Sequence, residues 1–237
     1  MMINYDSINI DSTLEQFKKN RRIVINDFLN LEFAEKLYKY YTAEMPKELW
    51  SATYHPSFRY SGDWEWWKNI ASNQYNMQMA YAHSCLNRDT NAFSYFFYKT
   101  MNDRMQMGDM TGTVYEETMN FFNSKEIMEF IGKITGLDIT VADKTFVSRY
   151  ASKCFLSEHT DEPNGKLAFV YHLSKDWNPD WGGLYLDLRD KNNIKAICPS
   201  FNKMVIFEVT DGVAPHSVTQ VVDNTIHERI SVSGWYN

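Results

Sequence analysis

The sequence contains 237 residues, enough for one large domain or two small ones with a sizeable buried core. Its 30 Asp and Glu residues outnumber the 24 Lys and Arg residues, which gives a net charge of −6 and disfavours a protein that coats nucleic acid. No stretch approaches the roughly 18 consecutive apolar residues of a membrane span, and the N-terminus lacks the order of a secretory signal, so we predict a cytoplasmic protein without a membrane or nucleic-acid partner.

The first part of the chain, residues 1–139, is predicted to hold supporting helices and lead-in strands. Asn30 is a candidate N-cap for a helix that begins at Leu31 and runs toward Met45, and Pro46 ends it. The apolar residues of this stretch share one helix face: Phe33, Leu37, Tyr40 and Tyr41. A second helix is predicted from Val114 to Gly132, with an apolar stripe formed by Phe121, Phe122, Ile127, Met128 and Ile131.

Two unusual segments lie between these helices. Residues 50–67 contain seven aromatic residues and a histidine, and residues 101–110 are rich in methionine. Residues 50–67 show no clean helical or strand period, and they mix aromatic with polar side chains. We therefore expect them to form part of the rim of a substrate pocket, although the same aromatic residues could instead anchor the segment on the outside of the fold.

The second part of the chain, residues 140–237, is predicted to be a β structure. Short β-rich runs alternate with turn residues, and the clearest of them are TFVSRYA, KLAFVYHL, GGLYLDL, KMVIFEV and RISVSGWY. Many short strands at near-even spacing favour a sandwich or a double-sheet jelly roll. We therefore predict an α+β fold with a mainly β core, in which the helices and residues 140–237 form one domain over residues 1–237.

A candidate metal site lies in this second part. His159 and Asp161 are separated by one residue, so a strand would place both side chains on the same face. His216, from another predicted strand, would complete a set of two imidazoles and one carboxylate. This ligand set leaves coordination positions open on Fe(II), although it also suits Zn²⁺.

A candidate anion site follows the metal ligands. Arg229 lies at the start of the last predicted strand and is followed two residues later by Ser231. A guanidinium that faces the interior of a β structure must be paired, and a carboxylate is its natural bidentate partner. The order of His159, Asp161, His216 and Arg229 is therefore more specific than any one of these residues.

Together, these residues resemble the Fe(II)/2-oxoglutarate-dependent dioxygenases, and in particular their prolyl hydroxylase-like branch. The resemblance covers residues 140–237 and extends weakly to the opening segment RRIVINDFLNLEFAEKL. Besides Tyr150 and the His159–Asp161 motif, the matching segments are LAFVYHLSKDWNPDWGGLYLDL, CPSFN, KMVIFEV, PHSVTQV and RISVSGWY.

The resemblance implies a double-stranded β-helix fold and a specific set of site residues. It implies that His159, Asp161 and His216 bind Fe(II), and that Arg229 binds the distal carboxylate of 2-oxoglutarate with help from Tyr150 and Ser231. His172 stands where the prolyl hydroxylases usually carry a tyrosine, which alters the co-substrate pocket. Leu184 is similar to a residue that lines this pocket in relatives.

The implied reaction consumes 2-oxoglutarate and O₂, releases succinate and CO₂, and hydroxylates a C–H bond, with ascorbate as an accessory. A prolyl residue of a protein or peptide is the favoured substrate, and a free amino acid or another small metabolite is the runner-up. Nucleic-acid demethylation is disfavoured because Trp235 stands where those enzymes usually carry a second arginine. A non-catalytic metal-binding jelly roll is the alternative outside enzymes, and the sequence does not indicate the oligomeric state.

Overall fold

The computed structural model describes residues 2–55, 82–83, 93–100, 108–162, 164–223 and 225–237. These residues include four α-helices: α1 (Ile10–Asn20), α2 (Leu31–Lys39), α3 (Val114–Phe122) and α4 (Lys125–Thr135). They also include eleven strands: β1 (Arg22–Ile25), β2 (Trp50–His55), β3 (Tyr95–Thr100), β4 (Ala142–Tyr150), β5 (Phe155–His159), β6 (Leu167–His172), β7 (Tyr185–Asp187), β8 (Lys195–Ile197), β9 (Lys203–Glu208), β10 (His216–Val218) and β11 (Arg229–Tyr236). Within this part of the chain, no helix is both long enough and apolar enough to span a membrane.

The strands form one antiparallel sheet that curls around a cavity. Their order is β1-β9-β6-β11-β4-β3-β5-β10-β7-β8, and β2 pairs with β3. The strands β1, β9, β6, β11 and β4 make up a major part of the sheet, and β5, β10, β7 and β8 make up a minor part. Side chains from both parts line the same cavity, so the two parts face each other across it.

The helices cover the outer face of the major part. Residues on β11 alternate between the two faces of the sheet, and Ile230, Val232 and Tyr236 lie in the core on the helix side. Phe122 of α3 stacks on Phe169 of β6 with 5.4 Å between ring centroids. This packing leaves the opposite face of β11, which begins with Arg229, directed toward the cavity.

The predicted helices are present with altered boundaries. Asn30 caps α2 as predicted, because its side chain accepts a hydrogen bond from the Phe33 backbone N–H. The α-helix ends at Lys39, and a single turn of π-helix, Tyr40–Glu44, continues it. The single helix predicted over 114–132 is wrong, since Ser124 caps a second helix through the backbone N–H of Ile127.

The predicted strands agree with the structure over β4, β6, β7, β9 and β11. In contrast, β2 and β3 were not predicted, and residues 50–55 form a regular strand although no strand period was recognised in them. Trp50 is buried in the core on the helix side, while Thr53 lines the cavity. The rest of the aromatic segment, residues 56–67, lies outside the described residues, as do residues 101–107 of the methionine-rich segment.

A buried ion cluster joins the two parts of the sheet near the cavity. Asp187 on β7 is 5% exposed, and its Oδ2 lies 2.5 Å from Nη1 of Arg22 on β1 and 2.5 Å from Nη2 of Arg189. Burial raises the pKa of this carboxyl group, but the hydrogen bonds from Arg189 and the charges of both arginines outweigh it, so the pKa is lowered. The carboxylate therefore pairs with two cations that have no other acidic partner among the described residues.

Replacing Asp187 by asparagine should lower the free energy of unfolding by about 3–5 kcal/mol, because it removes the charge that both arginines need. A carboxyl group with a depressed folded-state pKa stabilises the fold above its unfolded pKa, and this stability is lost as the pH falls through the folded value. In Asp187→Asn, the free energy of unfolding should therefore fall less steeply as the pH is lowered than in the wild type. Denaturant unfolding between about pH 2 and 7 measures this dependence. Glu129→Gln, which removes an exposed helical ion pair with Lys125, is the control and should change neither quantity.

Candidate active site

A cavity of about 420 Å³ lies between the two parts of the sheet. Most of its walls are apolar or aromatic, and the side chains that line it include Phe97, Phe146, Leu156, Val170, Tyr185, Phe207, Val218 and Trp235. The polar groups on its walls include His159, Asp161, His216, Tyr150, Ser148 and Arg229. A concave, mostly apolar cavity with a few convergent polar groups is typical of small-molecule sites.

Three of the predicted site residues meet at one point of this cavity. His159 at the end of β5 and His216 at the start of β10 are direct partners in the antiparallel ladder. Asp161 lies just beyond the end of β5, and one ligand atom from each of the three side chains lies within 4.8 Å of the others. The Asp161 carboxylate is 3.4 Å from Nε2 of His159 and 3.6 Å from Nε2 of His216. The sequence-based expectation that these three side chains converge agrees with this geometry.

The two imidazoles are held in the orientation that a metal ligand requires. Nδ1 of His159 lies 2.9 Å from the carbonyl oxygen of Ser157, and Nδ1 of His216 lies 2.9 Å from that of Ala214. Because a carbonyl oxygen only accepts, each Nδ1 carries the proton and donates it in this bond. Each Nε2 therefore directs its lone pair toward Asp161, in the tautomer that binds a metal through Nε2.

The charge states of these groups also favour metal binding. Burial and the neighbouring His159 together lower the pKa of His216 to about 4, so His216 is neutral at pH 7. Burial raises the pKa of Asp161, but its contacts with His159 and His216 outweigh this effect and the net shift is downward. Neutral imidazole and ionised carboxylate are the forms that bind a cation.

Arg229 is a buried cation with no carboxylate partner among the described residues. Its side chain is 2% exposed and lines the same cavity as the triad. Nε donates to the carbonyl oxygen of Gly183 at 2.9 Å, and Nη1 donates to Oγ of Ser231 at 3.3 Å. An unpaired buried charge is costly, so an anion that enters the cavity would relieve this cost.

The surroundings of Arg229 fix its position. The guanidinium lies over the ring of Tyr150 at 4.6 Å, and Tyr150 stacks on Phe97 with 4.9 Å between centroids. A Cβ on Gly183 would lie 3.1 Å from Cδ of Arg229, and the φ of +64° at this position also favours glycine. Gly183 therefore permits the close backbone approach that holds the guanidinium.

Three residues assigned to the co-substrate pocket by resemblance do not line the cavity: Ser231, which contacts Arg229 instead, Leu184 and His172. Leu184 is half-buried and precedes Tyr185, and because strand residues alternate, Tyr185 faces the cavity in its place. His172 is fully buried, and neither of its ring nitrogens has a hydrogen-bond partner among the described residues. Burial lowers the pKa of His172 well below its usual value, and the charges of Arg229 and Lys203 lower it further. His172 pairs with Ser231 in the ladder and alternates with Ala168 and Val170 of the cavity wall, so it lies on the same face of the sheet as Arg229.

Several residues of the cavity were not predicted as site residues. Ser148 lies on the wall and its Oγ is 2.9 Å from Oγ of Ser231, which in turn accepts from Arg229. Tyr185, Phe207 and Trp235 line the cavity from three different strands. Ser148 could have been predicted from the sequence, because it lies two residues before Tyr150 and a strand places both on the same face. The three aromatic residues could not, because aromatic residues in a strand are more typical of a core.

The residues present fit Fe(II) and 2-oxoglutarate. Two imidazole nitrogens and one carboxylate form the three-ligand set that leaves positions open on Fe(II) for a chelating co-substrate and O₂. A cation suited to a bidentate carboxylate contact lies in the same cavity. This arrangement offers one place for a metal and another for the far end of a dicarboxylate.

Comparison with known proteins identifies the part of the chain that holds these residues. Residues 145–237 match the family model described as the 2OG-Fe(II) oxygenase superfamily. The prolyl 3-hydroxylase OGFOD1 of Mus musculus is 32% identical over 120 residues, which cover 47% of this chain and 22% of that protein. The matched region thus spans about a fifth of the length of the curated relatives, which are 22% and 19% covered.

Solved structures share the fold at low sequence identity. An oxidoreductase of the 2OG-Fe(II) oxygenase family from Burkholderia pseudomallei has a TM-score of 0.60 and 14% identity, with 97% of this chain and 91% of that chain covered. A Pseudomonas putida prolyl-4-hydroxylase has a TM-score of 0.54 and 12% identity, with 96% and 98% covered. The predicted double-stranded β-helix with supporting helices is confirmed by these likenesses.

Proposed function

We infer that this chain, whose residues 145–237 belong to the 2OG-Fe(II) oxygenase superfamily and are prolyl hydroxylase-like, is an Fe(II)- and 2-oxoglutarate-dependent dioxygenase. We propose that it hydroxylates a prolyl residue of a protein or peptide. The main support is the presence of the metal-binding triad and the unpaired Arg229 guanidinium in one cavity. When bound, the iron and its co-substrate would supply the oxidising chemistry, and the protein would supply binding and orientation.

Each site residue has a defined task in this proposal. His159, Asp161 and His216 hold the metal, and the carbonyl groups of Ser157 and Ala214 keep both imidazoles oriented. Arg229 binds the distal carboxylate of 2-oxoglutarate in a dry environment, where a charge-assisted pair is strong. Ser231 and Tyr150 hold the guanidinium from two sides.

His172 belongs to the same end of the cavity, where Arg229 and Lys203 add to the positive potential. A neutral imidazole keeps this potential from rising further, and one of its nitrogens always carries a proton that can be donated. We propose that His172 supports the anion site from β6, the strand that pairs with β11.

A protein or peptide substrate is favoured over a free amino acid by the charges on the cavity walls. A free amino acid carries an ammonium group that needs an acidic partner. Among the described residues that line the cavity, Asp161 is the only acidic one, and it is assigned to the metal. A prolyl residue within a chain has neither terminal charge, and its ring suits the apolar walls. The curated relatives are named as a prolyl 3-hydroxylase and a prolyl 3,4-dihydroxylase.

A metal-binding module without catalysis is the alternative that Arg229 disfavours. A zinc site formed by two histidines and one carboxylate does not require a buried guanidinium beside it. A cytoplasmic location and ascorbate as an accessory reductant are also part of the proposal, and they rest on the sequence and its resemblance alone.

A screen for succinate release tests the proposed function. The protein is incubated in air with Fe(II), ascorbate and 2-oxoglutarate, and with proline-containing peptides, free amino acids or nucleosides. We expect peptides to stimulate succinate formation above the level without substrate and to gain one oxygen atom in mass. Stimulation by free amino acids alone would shift the substrate to the runner-up class, and no succinate in any reaction would contradict the proposed activity.

A further inference from the structure

The indole of Trp235 has a buried N–H group that the proposed chemistry has not used. Nε1 of Trp235 is buried and has no hydrogen-bond partner of normal geometry among the described residues. A buried donor without a partner is costly and is therefore a candidate for a functional contact. The ring lines the same cavity as Asp161.

The candidate acceptor for this N–H group is the carboxylate of Asp161, which lines the same cavity. Burial raises the pKa of Asp161, and a hydrogen bond from the Trp235 side chain is among the interactions that lower it, after those with His159 and His216. The loop that follows Asp161 packs against Trp235, since a Cβ on Gly165 would lie 3.0 Å from Cβ of Trp235, and the side chains of Asp161 and Trp235 line the same cavity. At present the carboxylate oxygens face the two imidazoles, at 3.4 and 3.6 Å.

The local backbone explains why the ring can reach this position. Arg229, Ser231, Ser233 and Trp235 alternate along β11 and share the cavity face of the strand. The pairing of β11 with β4 shifts between Ser233 and Trp235, where β4 contains one extra residue. Lys144, next to Asp143 in this irregular stretch, has a φ of +51°, which is typical of a bulge residue. The bulge lies directly beside Trp235, and bulges often direct a side chain at a site.

We propose that Trp235 is a positioning residue whose indole N–H donates to the Asp161 oxygen that does not bind the metal. This inference rests on the proposed metal site and goes beyond it. A carboxylate that gives one oxygen to the metal needs a donor for the other oxygen, and a fixed donor holds it in single-oxygen coordination. Without that donor, the carboxylate is free to rotate and to bind through both oxygens, which would occupy a position that the co-substrate needs.

The substitution Trp235→Phe tests this proposal, because it removes the N–H and keeps an aromatic ring. We measure the dissociation constant of Mn²⁺ from the fraction of free Mn²⁺ in electron paramagnetic resonance spectra, without co-substrate or turnover. Loss of a hydrogen-bond partner of a metal ligand typically weakens metal affinity by about 10–100-fold, and we expect a change in this range. Trp50→Phe is the matched control, since it makes the same exchange at a tryptophan that packs in the core on the helix side.

A second variant separates the lost hydrogen bond from altered packing. Site-specific replacement of Trp235 by 3-benzothienylalanine keeps the shape of the ring but exchanges the N–H for sulfur. We expect it to weaken Mn²⁺ binding as Trp235→Phe does, with an unchanged melting temperature of the metal-free protein. The absorption spectrum of bound Co²⁺ should also change in both variants, because it reports the coordination number.

The outcomes distinguish this inference from the proposed function. Wild-type affinity for Mn²⁺ in both Trp235 variants would contradict the positioning role and leave the metal site intact. If the wild-type protein binds no Mn²⁺, the proposed metal site fails, and the role of Trp235 fails with it. Weakened binding by Trp50→Phe equal to that of Trp235→Phe would also overturn the inference, because it would show a general packing effect.

Discussion

The substitution Asp161→Ala reduces 2-oxoglutarate-dependent succinate formation to the level measured without protein, and His159→Ala does the same. Each change removes one of the three proposed metal ligands, and two ligands cannot hold the ion in the geometry that the co-substrate requires. The fold should remain, because these side chains line a cavity and do not belong to the packed core. Succinate is measured by mass spectrometry, and the melting temperature of the metal-free protein is measured in parallel.

The neighbouring carboxylate provides the matched control for this result. Glu162 follows Asp161 in the chain, but its side chain is exposed and does not line the cavity. Glu162→Ala should therefore retain the wild-type rate. If Asp161→Ala also kept more than about a tenth of the rate, Asp161 could not be a ligand of a metal essential for turnover.

Replacing Arg229 by methionine raises the 2-oxoglutarate concentration required for half-maximal rate by one to two orders of magnitude or more. Each charge-assisted hydrogen bond to the co-substrate carboxylate contributes about 1.5–3 kcal/mol, and methionine can make none of them. The melting temperature of the protein without co-substrate should not fall, since the change removes a buried charge that lacks a carboxylate partner. Co-substrate dependence is measured from initial rates of succinate formation.

Two further measurements test whether the raised 2-oxoglutarate requirement comes from the lost Arg229 contact alone. The Mn²⁺ dissociation constant of Arg229→Met should equal that of the wild type in the absence of co-substrate, because the triad is unchanged. Arg149→Met, on the adjacent strand, removes a guanidinium that pairs with Glu228 and lies over Trp50, so it should leave co-substrate dependence unaltered. A normal co-substrate requirement in Arg229→Met would place the anion site elsewhere.

A short-range pattern was sufficient to predict that His159 and Asp161 lie together, but not that His216 joins them. The one-residue spacing of His159 and Asp161 placed both side chains on one side of the chain, even though Asp161 lies beyond the end of β5. The ladder pairing of His159 with His216 joins residues that are 57 positions apart, from 159 to 216. This pairing follows from strand order, which the sequence did not reveal without the family resemblance.

Expectation and structure differ where a shift of one residue changes the face of a strand. Leu184 and Tyr185 are neighbours at the start of a strand of only three residues, and alternation directs Tyr185 to the cavity. Helix α3 was predicted too long because the apolar stripe continues past Phe122, while the capping bond of Ser124 decides where α4 begins. Trp235 was noted only for replacing an arginine, since an aromatic residue on an inner strand is usually part of a core.

Oxygen labelling tests the central claim, that this cavity is the site of a dioxygenase reaction, most directly. The protein is incubated with Fe(II), 2-oxoglutarate and the most active proline peptide from the screen under ¹⁸O₂, and both products are analysed by mass spectrometry. We predict that one labelled oxygen atom enters succinate and the other enters the hydroxylated peptide, with both products absent for Asp161→Ala. Succinate and peptide that both remain unlabelled in the wild-type reaction would contradict the account.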